Sequence, residues 1–240
     1  MFQKIPNVPQ SKPNILIAAP CKAIEKLDFK YYIPTIQVAS LPDGLKYHAD
    51  LQIHYLGEGI FVSCPETYEY YYEKLGTIGA KVIKGNTCLG GTYPLDVAYN
   101  VARVGNSAYH NSRFTDSIIL NHFKENGIDL IDIKQGYAKC LTAVTGKKSL
   151  ITSDGGIYNA AIKCNADALL IEEGGINLEG YNCGFIGGAA ALIEKNKLFI
   201  TGSLKNHPSK HKIHSFLEQQ EVELYESEGT PLDIGSLITA

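Results

Sequence analysis

The sequence lacks a basic excess, a long apolar run and closely paired cysteines. Its 22 Lys and Arg are offset by 25 Asp and Glu, which leaves a net charge of -3 at pH 7. This balance gives no electrostatic reason to expect nucleic acid or an anionic membrane as a partner. No apolar run is long enough to span a bilayer, and the polar segment 1–13 lacks the apolar stretch of a signal peptide. We therefore expect a soluble cytoplasmic protein.

The six cysteines are scattered along the chain, and none belongs to a CxxC pair or to a cluster with zinc-ligand spacing. Scatter of this kind argues against a disulfide scaffold. The glycine pairs do not form the GxGxxG loop of a nucleotide site. We therefore expect neither a metal nor a cofactor. Because 45% of the residues are apolar and 20% are charged, the chain is expected to be globular.

One pattern recurs four times: a strand, a tight turn, a short strand, a helix and a third strand. The repeats cover about residues 50–84, 96–133, 140–171 and 184–225. The centres of the short strands follow one another at roughly 40 to 50 residues, as expected of one supersecondary unit with variable loops. These centres are Phe61, Tyr109, Ile151 and Ile200.

The two ends of the chain supply the parts of a fifth unit. Residues 233–240 are expected to form a first strand, and residues 14–40 a second strand, a helix and a third strand. Pairing of the termini would protect strand edges that a linear array leaves open. We therefore predict an α/β fold in which residues 1–240 form a single domain, a closed propeller of five ββαβ units. The alternative is an α/β sandwich that only alternates its elements.

Two short stretches carry chemically informative residues. Residues 136–142 read Gly-Tyr-Ala-Lys-Cys-Leu-Thr, and His48-Ala49-Asp50 opens a first strand two units earlier. Together with the five-unit pattern, over about residues 14–240, these stretches resemble the pentein fold of the guanidino-group-modifying enzymes. The resemblance is to a compact bacterial group related to arginine and agmatine deiminases, dimethylarginine dimethylaminohydrolase and amidinotransferases. In those hydrolases the cysteine lies near the C-terminus, so the units here would have to be circularly permuted.

The resemblance implies a cysteine-dependent hydrolase or amidinotransferase-like enzyme that acts on a guanidine or amidine C–N bond through a covalent thiol adduct. It implies Cys140 as nucleophile, His48 as base and Asp50 as their catalytic partner. It also implies Asp96 and Asp233 as carboxylates that hold the substrate. A guanidinium carbon is a poor electrophile, so this chemistry needs a thiolate, carboxylates and an acid for the leaving amine. Lys139 and Arg103 are further candidate substrate contacts.

Each assignment has an alternative. His48 and Asp50 can be an ordinary polar pair of a loop. Cys140 can be a small buried core residue, in which case Cys183 and then Cys88 are the candidate nucleophiles. Asp96 and Asp233 can be turn residues, and Arg103 can belong to a surface ion pair. His54 is expected on the outside of its strand.

The expected partner is a small guanidine or amine, with an arginine derivative or an agmatine-like amine foremost. The sequence also leaves a homodimer open. The competing function is a non-catalytic ring that binds a partner protein or ligand, as in a ribosome-binding factor with the same ring.

Overall fold

The computed structural model describes residues 2–240. Its strands form five separate three-stranded sheets. The strands are β1 (Ile15–Ala18), β2 (Tyr31–Pro34), β3 (Ile53–Gly57), β4 (Ile60–Ser63), β5 (Lys81–Lys84), β6 (Ala102–Val104), β7 (Ser107–His110), β8 (Asp129–Asp132), β9 (Thr142–Gly146), β10 (Ser149–Thr152), β11 (Asp167–Leu170), β12 (Ala190–Glu194), β13 (Lys197–Ile200), β14 (Glu223–Glu226) and β15 (Ile238–Thr239).

The α-helices are α1 (Ala49–Gln52), α2 (Tyr68–Gly76), α3 (Ser117–Glu125), α4 (Ala138–Leu141), α5 (Gly155–Lys163), α6 (Ile186–Ala189) and α7 (Lys210–Gln219). Short 3-10 helices cover Lys22–Ile24, Asp43–Leu45 and Leu204–Asn206. Within residues 2–240, no helix combines the length and the apolar character that crossing a membrane requires.

Each sheet repeats one topology. The central strand runs antiparallel to the first strand and parallel to the third, as β4 does between β3 and β5. Four sheets carry a longer helix, and each of these helices buries two residues at i, i+4 spacing, the spacing that places side chains on one face. These pairs are Tyr71 and Leu75, Ile119 and Phe123, Ile157 and Ala161, and Ile213 and Leu217. The α/β class predicted from the sequence is observed as five small three-stranded sheets of this topology.

The fifth sheet joins the two ends of the chain. The C-terminal strand β15 pairs antiparallel with β1, with Leu16 opposite Thr239, and β1 pairs parallel with β2. The predicted pairing of the termini is therefore confirmed. The helix expected in this unit is only the 3-10 helix Lys22–Ile24. The strand expected from residue 233 begins only at Ile238, because positive φ angles at residues 235 and 236 turn the backbone away from an extended path.

The beginnings of the first strands differ from the sequence prediction. A one-turn helix precedes β3, β9 and β12, so the strands begin at Ile53, Thr142 and Ala190. Strand β6 begins at Ala102 instead of Val97. Side chains therefore do not alternate between two faces at Lys139 and Cys140, which both lie in α4. These segments leave the extended conformation because their polar groups bond to segments of neighbouring units.

The five segments before the first strands are connected in order by hydrogen bonds. Within this set, Asp50 N donates to Gly235 O (3.0 Å), and Asn100 Nδ2 donates to Asp50 O (3.4 Å). Lys139 N donates to Asn100 O (3.1 Å), and Lys139 Nζ to Gly187 O (3.3 Å). Backbone bonds from residues 234 and 236 to the carbonyl of residue 188 connect the last two segments. Residues that are far apart in the sequence therefore meet at one centre.

Candidate functional site

Cys140 lies at this centre, in the one-turn helix α4. Its thiol donates to Asp50 Oδ2 at 3.1 Å and accepts a hydrogen bond from Asn100 Nδ2 at 3.0 Å. The amide oxygen of Asn100 accepts from the backbone N–H groups of Lys139 (2.8 Å) and Cys140 (3.2 Å). One Asn100 side chain therefore binds the backbone of α4 and orients the thiol.

His48, Asp50 and Cys140 lie together, with one donor atom of each within 4.8 Å of the others. All three side chains are buried. Within residues 2–240, His48 Nδ1 and Asp50 Oδ1 have no hydrogen-bond partner. A thiol, an imidazole and a carboxylate in this arrangement can exchange protons, and the same three donors can also hold a metal ion. The absence of a metal stays a prediction from the sequence.

Asp50 also belongs to a buried network that includes a lysine. Ser236 Oγ lies 2.6 Å from Asp50 Oδ2 and 2.7 Å from Gly187 O. Lys139 Nζ donates to Ser236 Oγ at 3.1 Å. These hydrogen bonds run from Lys139 through Ser236 to Asp50, and they therefore connect a buried ammonium to the thiol of Cys140. The helical turn of α4 makes this possible, whereas the strand expected from the sequence would have directed Lys139 to the opposite face.

The carboxylate of Asp233 is held by backbone N–H groups. Its Oδ2 accepts from Phe185 N at 2.9 Å, and its Oδ1 accepts from Gly235 N at 3.0 Å. Gly188 packs so closely that a Cβ at this position would overlap Asp233 Oδ1. A Cβ at Gly235, where φ is +73°, would overlap the backbone of His48. The glycines therefore let the carboxylate and the imidazole approach one cavity.

This cavity has a volume of about 130 Å³. Part of its wall is formed by the side chains of His48, Cys140 and Asp233. The remainder is aliphatic, aromatic or a second thiol: Leu45, Leu51, Tyr137, Leu178, Tyr181, Cys183 and Phe185. The structure thus brings together the predicted nucleophile, base and one substrate carboxylate, with Asp50 in contact with the thiol. Their catalytic roles stay predictions.

Asp96 lies behind this wall. Its Oδ2 accepts from the hydroxyl of Tyr137, and its Oδ1 has no hydrogen-bond partner among the residues that the structure describes. Burial raises the pKa of Asp96, and the Tyr137 hydroxyl opposes that shift. Asp96 is therefore connected to the cavity through Tyr137, which lines it.

Arg103 and His54 are not among the described residues that line the cavity at Cys140. Arg103 Nη2 donates to Gly105 O at 2.9 Å, and the guanidinium carbon is 5.3 Å from the centroid of the Phe123 ring. Arg103 does not line the 130 Å³ cavity, and among residues 2–240 it makes no ion pair, so the surface ion pair is wrong. His54 is buried, contrary to prediction, because it packs edge-on against Phe123 with 6.0 Å between ring centroids.

Burial raises the pKa of the Cys140 thiol well above its ordinary value, and the carboxylates of Asp50 and Asp233 raise it further. Burial lowers the pKa of Lys139, although Asp50 opposes that shift. The pKa of Asp233 is raised, mainly by burial, while His48 acts to lower it. The site therefore favours a neutral thiol next to carboxylates. A cation that enters the cavity would offset the carboxylates and favour the thiolate.

Sequence reasoning missed three residues of this centre: Asn100, Ser236 and Tyr137. Asn100 lies near the beginning of the repeat 96–133, and Tyr137 lies in the stretch 136–142 that points to Cys140. Ser236 gave one signal, because it follows Gly235 in the segment equivalent to the other strand beginnings. Their roles come from contacts across 40 to 186 residues of sequence.

Residues 18–238 match the model of a protein family described as "Family of unknown function (DUF6873)". The chain belongs to this family. No curated protein matches this DUF6873 chain.

Solved structures share the fold of this DUF6873 chain at low sequence identity. The agmatine deiminase of C. jejuni has a TM-score of 0.54 and 11% identity, over 95% of this chain and 90% of that one. The dimethylarginine dimethylaminohydrolase of Pseudomonas aeruginosa has a TM-score of 0.55 and 10% identity, over 90% and 92%. The inosamine-phosphate amidinotransferase of Streptomyces griseus has a TM-score of 0.57 and 6% identity, over 99% and 96%. The chain has the pentein fold.

Proposed function

We propose that this protein is a cysteine-dependent enzyme that acts on a C–N bond of a guanidine or amidine, with Cys140 as the nucleophile. One observation carries the proposal: the thiol, the His48 imidazole and the Asp233 carboxylate face one cavity, and Asp50 contacts the thiol. The pentein fold adds support, because three solved structures with this fold are named as a deiminase, a dimethylaminohydrolase and an amidinotransferase.

Binding of the substrate comes first. A guanidinium offers N–H groups in a plane, and carboxylates bind such groups with strong charge-assisted hydrogen bonds. Asp233 lines the cavity, and one carboxylate oxygen of Asp50 has no hydrogen-bond partner in the described part of the chain. The bound cation also lies next to Cys140, where it offsets the carboxylates that raise the pKa of the thiol. We infer that the thiol ionises when the substrate is bound.

The covalent step then follows. The sulfur of Cys140 bonds to the guanidine carbon, and the proton of the thiol moves to His48. His48 delivers that proton to the departing nitrogen as the C–N bond breaks, which leaves a thiouronium on the sulfur. Water adds to this carbon and gives one proton to His48, and the proton returns to the sulfur as the C–S bond breaks. In a transferase, an acceptor amine takes the place of the water.

Covalent labelling with chloroacetamidine tests the nucleophile, since its amidinium resembles a guanidinium and a thiolate displaces its chloride. We expect one label on the native protein at neutral pH, found on Cys140 by peptide mass spectrometry. Cys140→Ser should lose this label, whereas the matched control Cys183→Ser, in the same cavity, should keep it. Labelling of Cys183 alone would refute Cys140 as the nucleophile.

Turnover tests the reaction class. We expect release of ammonia or alkylamine from at least one member of a guanidine and amidine panel, and none with Cys140→Ser. If no member is turned over and none raises the melting temperature, the enzyme proposal fails and a non-catalytic binding ring replaces it. A homodimer and the absence of a nucleic-acid partner stay predictions.

We infer further that the five sheets close into a ring and that the chain is a single domain. Support comes from the paired termini and from the hydrogen bonds that connect each central segment to the next. A permuted chain, with the termini joined by a flexible linker and new ends at Gly79, tests this. Gly79 lies on a turn, and within residues 2–240 a Cβ there would meet no atom closer than 4 Å beyond its chain neighbours, so the permuted chain should fold with native thermal stability. A permuted chain that stays unfolded would contradict the ring.

A further inference from the structure

The wall of the Cys140 cavity divides into a polar corner and an apolar remainder. His48, Cys140 and Asp233 form the corner. The other lining residues are leucines, aromatic rings and a second thiol, among them Leu45, Leu178 and Cys183. A ligand that places a charged group at the corner therefore extends its other atoms along apolar surface, where a hydrocarbon is favoured over a charged or polar group.

The charges near the cavity are mainly negative. Asp233 is in the wall, and Asp50 contacts the thiol below it. Glu173 and Asp96 are close enough to act on the ionisation of Cys183 and Tyr181, which line the cavity. These carboxylates favour a cation and repel an anion.

No arginine or lysine, in the chain from residue 2 to residue 240, lines this cavity. Lys139 precedes Cys140 in the sequence, but its Nζ donates to Gly187 O and Ser236 Oγ instead of facing the cavity. The α-carboxylate of an amino acid would be desolvated here without a cationic partner, which is unfavourable.

We propose that the site takes small guanidines or amidines whose arm is apolar, and not arginine or another amino acid. This replaces the arginine derivative expected from the sequence, and it rests on the proposed function for the identity of the charged group. The volume agrees with a ligand of this size, since a protein cavity of about 150 Å³ accommodates benzene. A guanidinium with a short alkyl arm is similar in size.

The comparison of n-butylguanidine with L-arginine tests the proposal, because the two share a guanidinium and a short methylene chain and differ in the α-amino acid group. Binding is measured by calorimetry and turnover by amine or ammonia release. We expect n-butylguanidine to bind, or to react by kcat/KM, at least about tenfold better than arginine.

A variant that supplies the missing cation sharpens this test. Tyr181 lines the cavity but is 46% exposed, so Tyr181→Arg should fold normally. It should improve the binding of arginine relative to n-butylguanidine by about tenfold. Tyr72, which is 56% exposed and does not line this cavity, provides the control: Tyr72→Arg makes the same change in net charge and should leave the ratio unchanged.

The outcomes separate this inference from the proposed function. Turnover of arginine at or above the rate of n-butylguanidine would overturn the apolar-arm inference and leave the enzyme proposal intact. Binding of n-butylguanidine without turnover of any guanidine would defeat the enzyme proposal but support the ligand class. If the native protein binds neither compound, the ligand class is wrong.

Discussion

Removal of the Ser236 hydroxyl should destabilise this protein more than removal of an ordinary buried hydroxyl. Ser236 Oγ contacts Asp50 Oδ2 at 2.6 Å and Lys139 Nζ at 3.1 Å, and all three side chains are buried. A hydrogen bond to a charged group contributes about 1.5–3 kcal/mol, so the loss of two gives about 3–6 kcal/mol for Ser236→Ala. This is a large share of the roughly 5–15 kcal/mol that stabilises a typical domain.

Ser63 provides the matched control. Its side chain is also fully buried, but its Oγ contacts are neutral: Cys64 O at 3.2 Å and Thr67 Oγ1 at 2.9 Å. Ser63→Ala should therefore cost only about 1–3 kcal/mol for its two neutral contacts. Urea unfolding at pH 7, with both midpoint and slope fitted, gives the free energies of unfolding. The network argument would be refuted if the two variants differed by less than about 0.5 kcal/mol.

Two further variants separate the hydroxyl from its surroundings. Ser236 has a φ of +69°, a conformation that costs a residue with a Cβ about 1–2 kcal/mol. Ser236→Gly should therefore be about 1 kcal/mol more stable than Ser236→Ala, and it serves if the alanine variant does not fold. A double-mutant cycle with Lys139→Met should show a coupling energy of at least about 0.5 kcal/mol. Additive effects would mean that the serine and the lysine act independently.

Three other perturbations follow from the structure. Gly188→Ala should destabilise the fold by more than about 3 kcal/mol in urea unfolding, because its Cβ would overlap Asp233 Oδ1. The control Gly155→Ala, where a Cβ would meet none of the described atoms within 4 Å, should change stability by no more than about 1 kcal/mol, and similar values for the two variants would contradict the packing. Burial lowers the pKa of His110 to about 4, so the free energy of unfolding should fall as pH falls from about 6.5 to 4. His110→Gln should reduce this slope by up to about 1.4 kcal/mol per pH unit, and an unchanged slope would contradict a neutral buried imidazole. Deletion of residues 238–240 removes the pairing of β15 with β1 and should lower the melting temperature by more than about 5 °C, and a truncated protein as stable as the full chain would contradict that pairing.

Local sequence signals located most of the secondary structure. The turn of Gly57, Glu58 and Gly59, all with positive φ, marks one hairpin. Asp116 and Asp154 mark helix beginnings, and each accepts a hydrogen bond from a backbone N–H of its own helix. These are short-range effects, since a turn or a cap depends on residues a few positions apart. The units and their order were therefore predictable.

The sequence by itself determined the five-unit pattern, the pairing of the two termini, and His48, Asp50 and Cys140 as candidate residues. Tertiary structure decided where the first strands begin, because α1 and α4 form in response to partners such as Gly235 and Asn100. It also placed Ser236 against Asp50, 186 residues away, and built the apolar wall around the thiol. The physical reason is one of range: turns and caps act over a few residues, whereas burial and cross-unit hydrogen bonds exist only after the units pack together.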